Sequence, residues 1–266
     1  MKKYPKNPVP RRGRQHHHRI RRRRSFLFRL STLFWVVLLC GGFYIWVNHE
    51  KIEELLGAPN VPVETGFARS SAHPYGTAEQ VLETLPVKKP AGARGYSRSQ
   101  FGAPWEDLDK NGCDQRNDVL ARDLSNVQYT RRCKVASGTF IDPYTAEHLD
   151  FIRGEKTSPS VPIDHVVALS NAWQTGAAEL PLAQRQRLAN DPLNLQATGY
   201  DANTEKSNKD ASQWLPQRGY RCEYVARQIS VKAIYHLWVT PAEKQAMHAV
   251  LQECPQQPAY RSDLKR

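Results

Sequence analysis

The stretch from Ile163 to Asp210, IDHVVALSNAWQTGAAELPLAQRQRLANDPLNLQATGYDANTEKSNKD, changes periodicity several times. Its opening, VPIDHVVALS over 161–170, carries Val161, Ile163, Val166, Val167 and Leu169 and predicts a strand. ELPLAQRQRLAND then reads as a helix that stops at Asp191-Pro192, because the residue before a proline is pushed out of the α region. LNLQAT predicts a second short strand, and DANTEKSNKDASQWL a helix or helix start closed by Pro216. Upstream, Val119–Leu124 reads as helical and SGTFIDPYT as a strand running into a turn at Asp142-Pro143. Downstream, residues 222–237 predict a helix. Thr240-Pro241-Ala242-Glu243 is a capping box with proline at the first helical position, opening another helix that ends near Cys254. The order strand, excursion, strand, helix implies an α+β domain.

Inside this frame stand Asp164-His165, Asn194 in LNLQ, and Asn203, Lys206 and Lys209 in DANTEKSNKD. Together with NGCDQRNDVLARDL, SGTFIDPYT, NDPLNL and CEYVARQ in that order, they make the chain resemble the HNH (ββα-metal, His-Me finger) nucleases over roughly 94–254. The resembling branch holds the C-terminal domains of GmrSD-type restriction enzymes and exported actinobacterial nucleases. The resemblance implies a ββα-metal core with additional helices and a metal-dependent endonuclease. His165 would be the general base, and Asp164 and Asn203 would be the ligands of Mg²⁺ or Mn²⁺. Asn194 would be the central asparagine that fixes the loop after the histidine strand. The residue types suit that chemistry. A neutral imidazole accepts a water proton near pH 7, and an Asp/Asn oxygen set suits a hard divalent ion better than zinc. The last histidine of the HNH pattern is here an asparagine. Lys206, three residues after Asn203, is expected to reach the phosphate, with Lys209 behind it; Arg185 and Arg187 extend the expected basic patch. The substrate expected is DNA, with RNA as a second possibility. The competing readings are a non-catalytic extracellular binding module on the same scaffold, which would need a damaged site, and a nuclease toxin. No protein partner is expected.

Charge adds little to that expectation. Residues 1–47 hold twelve Lys and Arg and no acid, so they account for the whole formal net charge of +12 and leave the remainder neutral. They include a basic tail, 1–29, with a histidine run at 16–18, and an uncharged apolar run, LSTLFWVVLLCGGFYIWV over 30–47, long enough to span a membrane. Basic residues before the run and none close behind it predict a cytoplasmic N-terminus with the rest outside. No small-x-small site follows, which favours a retained anchor over a cleaved signal. Residues 48–93, with Pro59, Pro62 and Pro74, read as a stalk, although Thr77 and Gln80 offer a capping box over AEQVLETL. Residues 255–266 read as a C-terminal tail.

Cysteine usage agrees with export. Outside the apolar run remain Cys113, Cys133, Cys222 and Cys254. Two antiparallel helices joined by a short turn bring Cys222 beside Cys254, which leaves Cys113 for Cys133; no C-x-x-C spacing supports zinc. Asp107-Leu108-Asp109-Lys110-Asn111-Gly112 resembles the opening of a Ca²⁺ loop ending at Asp118, but an Asp stands at the twelfth place instead of Glu and a tight turn is the plainer reading.

Overall fold

A computed structural model describes residues 76–264. The basic tail and the apolar run lie outside the described residues; among those described, no helix is long and apolar enough to cross a membrane. The described chain is a mixed α+β fold. Its elements are α1 (Ala78–Thr84), α2 (Gln115–Asp123), β1 (Ser125–Arg131), β2 (Lys134–Ile141), β3 (His148–Ile152), β4 (Ile163–His165), α3 (Leu169–Gln174), α4 (Leu182–Asn190), β5 (Leu195–Ala197), α5 (Tyr200–Lys206), α6 (Arg221–Ile234) and α7 (Pro241–Leu251).

β1, β2 and β3 form an antiparallel sheet in sequence order. Val135 and Phe140 of β2 and Phe151 of β3 turn inward onto Val119 and Leu120 of α2. At Gly138 a side chain could not fit: a Cβ would stand 2.9 Å from Leu124 Cδ2 and 3.1 Å from the Ser125 carbonyl. The second sheet is only a pair. β4 and β5 run antiparallel with Ile163 opposite Ala197, Asp164 opposite Gln196 and His165 opposite Leu195, and α5 follows directly.

Three apolar clusters make up the core, and β4 with the two residues after it meets all three. Ile163 belongs to the cluster under the three-stranded sheet, Val166 to the one between α1, α6 and α7, and Val167 to the one between α3, α4 and the end of α6. The Asp164-His165 pair is therefore held at a junction of packed surfaces, where neither residue can shift without disturbing close-packed neighbours.

α6 and α7 are fastened at both ends. Cys222 and Cys254 are joined, with Cα atoms 6.4 Å apart. At the other end Lys232 Nζ lies 2.7 Å from Glu243, both fully buried, and Thr240 closes the capping box with Glu243. The second disulfide, Cys113 to Cys133, ties the loop before α2 to the β1–β2 turn.

The structure corrects four boundaries. The strand expected over 161–170 pairs only at Ile163–His165: the Val166 amide still meets the Asn194 carbonyl in register (2.8 Å), but the Val167 amide leaves the ladder to donate to the Asn194 side chain (2.8 Å). Of the helix or helix start expected over 201–215, the start alone forms: it ends at Lys206, where Ser207 turns left-handed at φ 50°. Residues 76–93 are not a stalk. Ala78 and Leu82 are buried in the core, the Lys88 amide donates to the Val239 carbonyl (3.0 Å), and that of Ala91 donates to Gln174 (2.8 Å). Nor are residues 255–264 a loose tail: the Ala78 amide donates to the Gln257 carbonyl (2.8 Å), and the Ala259 amide to that of Gly76 (3.0 Å). The domain is wider at both ends than 94–254.

Candidate active site

His165 ends β4 with its ring buried, and its Nε2 lies 2.9 Å from the Ala189 carbonyl. A carbonyl only accepts, so Nε2 carries the proton and Nδ1 holds the free lone pair. Burial is the largest influence on the ring and pushes its pKa down to about 4. Arg98 and Lys206 push the same way, while Asp164 and the Ala189 carbonyl oppose. The imidazole is thus neutral at pH 7, the form a proton acceptor needs.

Asn194 acts as a bracket for the chain after His165. Its Oδ1 accepts from the Val167 amide (2.8 Å), and its Nδ2 donates to the Leu188 carbonyl (3.1 Å). The turn carrying it is clamped in its own right. Arg122 donates to the Pro192 and Leu195 carbonyls, each at 2.7 Å, and buried Arg227 to those of Leu193 (2.8 Å) and Leu195 (2.9 Å). Neither arginine was visible in the sequence as part of the site.

Asp164 is buried, with one oxygen spoken for. Its Oδ2 accepts from the Tyr144 hydroxyl (2.7 Å) and lies 2.9 Å from Lys206 Nζ. Burial holds Tyr144 well above its usual pKa, so its hydroxyl remains a donor. Asp164, His165 and Asn203 line one polar cavity together with Arg98, Ser207 and Asn208. Asp142 sets the start of α5, and hence Asn203, by accepting from the Gly199 amide (3.1 Å) and the Thr198 hydroxyl (2.8 Å).

The lysines fall elsewhere. Lys206 is fully buried, its Nζ donating to the His165 carbonyl at 2.8 Å, so it cannot meet a phosphate from solvent; it props β4 from behind. The helical spacing placed Lys206 near Asn203, yet it points inward where β4 supplies two acceptors. Lys209 follows the end of α5 and is not part of the cavity wall. Arg185 and Arg187 are engaged internally, with the Gln100 and Leu264 carbonyls. The cation that does face the cavity is Arg98, in a short 3-10 turn at Arg98–Phe101 that sequence reading left inside an irregular stretch with no periodic signal.

The donor set was tested against a metal ion. Asp164 keeps a second oxygen, and the Asn203 amide lines the same cavity. Two hard oxygens fit a Mg²⁺-like ion that keeps most of its waters, and do not fit tetrahedral zinc. Among the described residues no group of three or more His, Cys, Asp or Glu side chains is placed to hold a metal. In the Asp107–Asp118 loop the Asp107 carboxylate accepts instead from the Asn111 (3.1 Å) and Gly112 (2.9 Å) amides, a tight turn.

Residues 114–250 match the C-terminal domain of GmrSD restriction endonucleases. The chain belongs to that family. The family is one of HNH-type nucleases, which places the chain among nuclease-like hydrolases. A protein described as an uncharacterized secreted protein, from Arthroderma benhamiae, is 38% identical over 181 residues, covering 67% of this chain and 85% of its own length. No solved structure matches. The family match begins in the turn before α2, so the 98–105 loop that walls the site lies ahead of it.

Proposed function

We propose that the protein is a metal-dependent endonuclease whose β4, β5 and α5 form the ββα-metal core of an HNH site, and that it hydrolyses phosphodiester bonds of DNA. The observation that carries this reading is a neutral, buried histidine, oriented by the Ala189 carbonyl, that lines one cavity with Asp164, Asn203 and Arg98. A divalent cation held by Asp164 and Asn203, Mg²⁺ or Mn²⁺, would neutralise charge on the phosphate and on the leaving oxygen. His165 Nδ1 removes a proton from water as the water oxygen bonds to phosphorus. The bond to the 3′-oxygen breaks, that oxygen takes a proton from solvent, and the product carries a 5′-phosphate. Meanwhile the proton on Nε2 stays hydrogen-bonded to the Ala189 carbonyl and holds the ring in place, Asn194 fixes the loop behind it, and Arg98 faces the phosphate.

The working place is outside the cytoplasmic membrane. Supporting this are the two disulfides, the secreted relative and the apolar run at 30–47 with its basic flank. In this reading 1–29 is a cytoplasmic tail, 30–47 an anchor and the chain from about residue 76 the nuclease domain.

The test uses the full-length, oxidised chain with plasmid and single-stranded DNA in Mg²⁺, Mn²⁺ or EDTA. Cleavage should stop in EDTA, and His165→Ala should lower the rate by about 10²–10⁴-fold. A folded wild-type protein that cuts neither substrate would sink the proposal.

A further inference from the structure

A second cavity, of about 370 Å³, shares His165 with the first, and its assignment rests on the nuclease reading above. Its wall is mostly apolar and aromatic, with Phe101, Pro104, Trp105 and Leu169; His165 and Arg98 belong to both cavities. The volume is in the range of small-ligand sites, about 300–1,000 Å³. The Trp105 indole lies nearly parallel to the His165 ring, at an interplanar angle of 15° with centroids 6.4 Å apart. A planar group entering beside the catalytic histidine therefore meets an aromatic surface.

The loop that makes this wall is held in shape. Trp105 sits in the left-handed region at φ 59°, which a bulky residue adopts only when its surroundings impose it. Its neighbours supply that constraint. The Glu106 amide donates to Asn190 Oδ1 (3.0 Å), Arg185 Nε to the Gln100 carbonyl (2.6 Å), and Gly102, at φ 79°, leaves room for Gln186, whose Cγ would lie 2.3 Å from a Cβ there. Strain kept at an aromatic side chain facing a cavity points to a role for that side chain.

We propose that this cavity receives the nucleobase of a nucleotide flanking the scissile phosphate, stacked on Trp105, so that the enzyme prefers unpaired DNA. His165, Arg98 and Leu169 line both cavities, so a base seated in the apolar one adjoins the phosphate site, and to lie flat on Trp105 it must leave the stack of a duplex, single-stranded or extruded. The wall also offers little to read the identity of a base. Its neutral polar side chains are Asn190 and Ser99, and the Asn190 amide already bonds within the protein, Nδ2 donating to the Gln186 carbonyl (2.9 Å) and Oδ1 accepting from the Glu106 amide (3.0 Å). Binding by stacking alone tolerates every base.

The experiment measures anisotropy of fluorescein-labelled oligothymidylate, and of an abasic tetrahydrofuran strand of equal length and charge, on the full-length oxidised chain in EDTA. Wild type should bind the base-bearing strand about five- to a hundredfold more tightly. Trp105→Ala should shrink that ratio and Trp105→Phe should restore most of it. Equal affinity of wild type for the two strands overturns the proposal, whether or not the variants fold. Cleavage is then followed in Mg²⁺ on single-stranded, duplex and mismatched DNA. Equal rates on single strand and duplex also overturn it while leaving the nuclease intact, whereas base-dependent binding without any cleavage defeats the nuclease reading and leaves the cavity standing.

Discussion

The two sides of His165 are built by different means. On the polar side Asp164, His165 and Asn203 come from β4 and α5, and buried charge fastens the frame around them: Lys206 under Asp164 and His165, Arg227 and Arg122 under the Asn194 turn. On the apolar side the wall is a loop, closed by a strained tryptophan and a few hydrogen bonds to α4. The contrast separates two demands. The proton acceptor and metal ligand proposed at His165 and Asp164 would lose about a hundredfold in rate if misplaced by about 1 Å, and they sit where three packed clusters meet. A stacking surface needs area and tolerates movement, so a loop suffices.

The largest expected effect comes from breaking the rigid side. Lys206→Met removes one partner of a buried ion pair and leaves Asp164 facing an apolar side chain, which should lower stability by about 3–5 kcal/mol in denaturant unfolding. Trp105→Ala, on the loop side and half-buried, should cost less than half as much. If the order were reversed, the 98–105 loop would be the structural anchor and the distinction between the two sides would be wrong. Cleavage by Lys206→Met at a temperature where it is folded should keep the wild-type salt dependence, since the lysine does not touch substrate.

Legibility in the sequence followed the range of the interactions. The capping boxes of α1 and α7 depend on side chains three residues apart and could be read directly. Asp164, His165, Asn194 and Asn203 were singled out through the family resemblance of one short span, even though the structure ends β4 sooner than the apolar run suggested. What escaped depended on distant partners. β1 and β3 are largely polar on their exposed faces and exist by pairing with β2, so SNVQYTR and HLDFI carry little strand signal of their own. Lys206 looks like a solvated helix residue until β4 brings the His165 carbonyl and Asp164 to it. Arg98 and Trp105 lie in a segment without periodicity, and only folding against α4 places them at the site.

A somewhat smaller effect should appear on acidification. The folded pKa of His165, about 4, lies below the ordinary 6.5, so the unfolded chain takes up the proton first as pH falls. Above pH 6.5 the group exerts no penalty. Between 6.5 and about 4 stability should decline, and below that level off, with a total loss of about 3 kcal/mol. The clean observable is the difference between wild type and His165→Phe in EDTA. Asp191, whose carboxyl burial raises, and the charges near the ring at Asp164, Arg98 and Lys206 are common to both proteins. A difference that stays constant from pH 7 to pH 4 would mean that the ring is more open to water than its place between the cavities implies.

The smallest effect locates the path of the strand. Lys209 lies past the left-handed turn at Ser207, its amide donating to the Lys206 carbonyl (3.0 Å), while Ser207 and Asn208 line the polar cavity before it. Lys209→Ala should therefore change the affinity for single-stranded DNA by less than about threefold and leave the slope of log K against log salt almost unchanged. Arg98→Ala removes a phosphate contact from between the two cavities and should flatten that slope by about 0.7. Equal flattening in the two variants would route the backbone over the end of α5. It would then take the strand away from Arg98, which lines both cavities, and with it the link between His165 and the apolar cavity on which the stacking proposal depends.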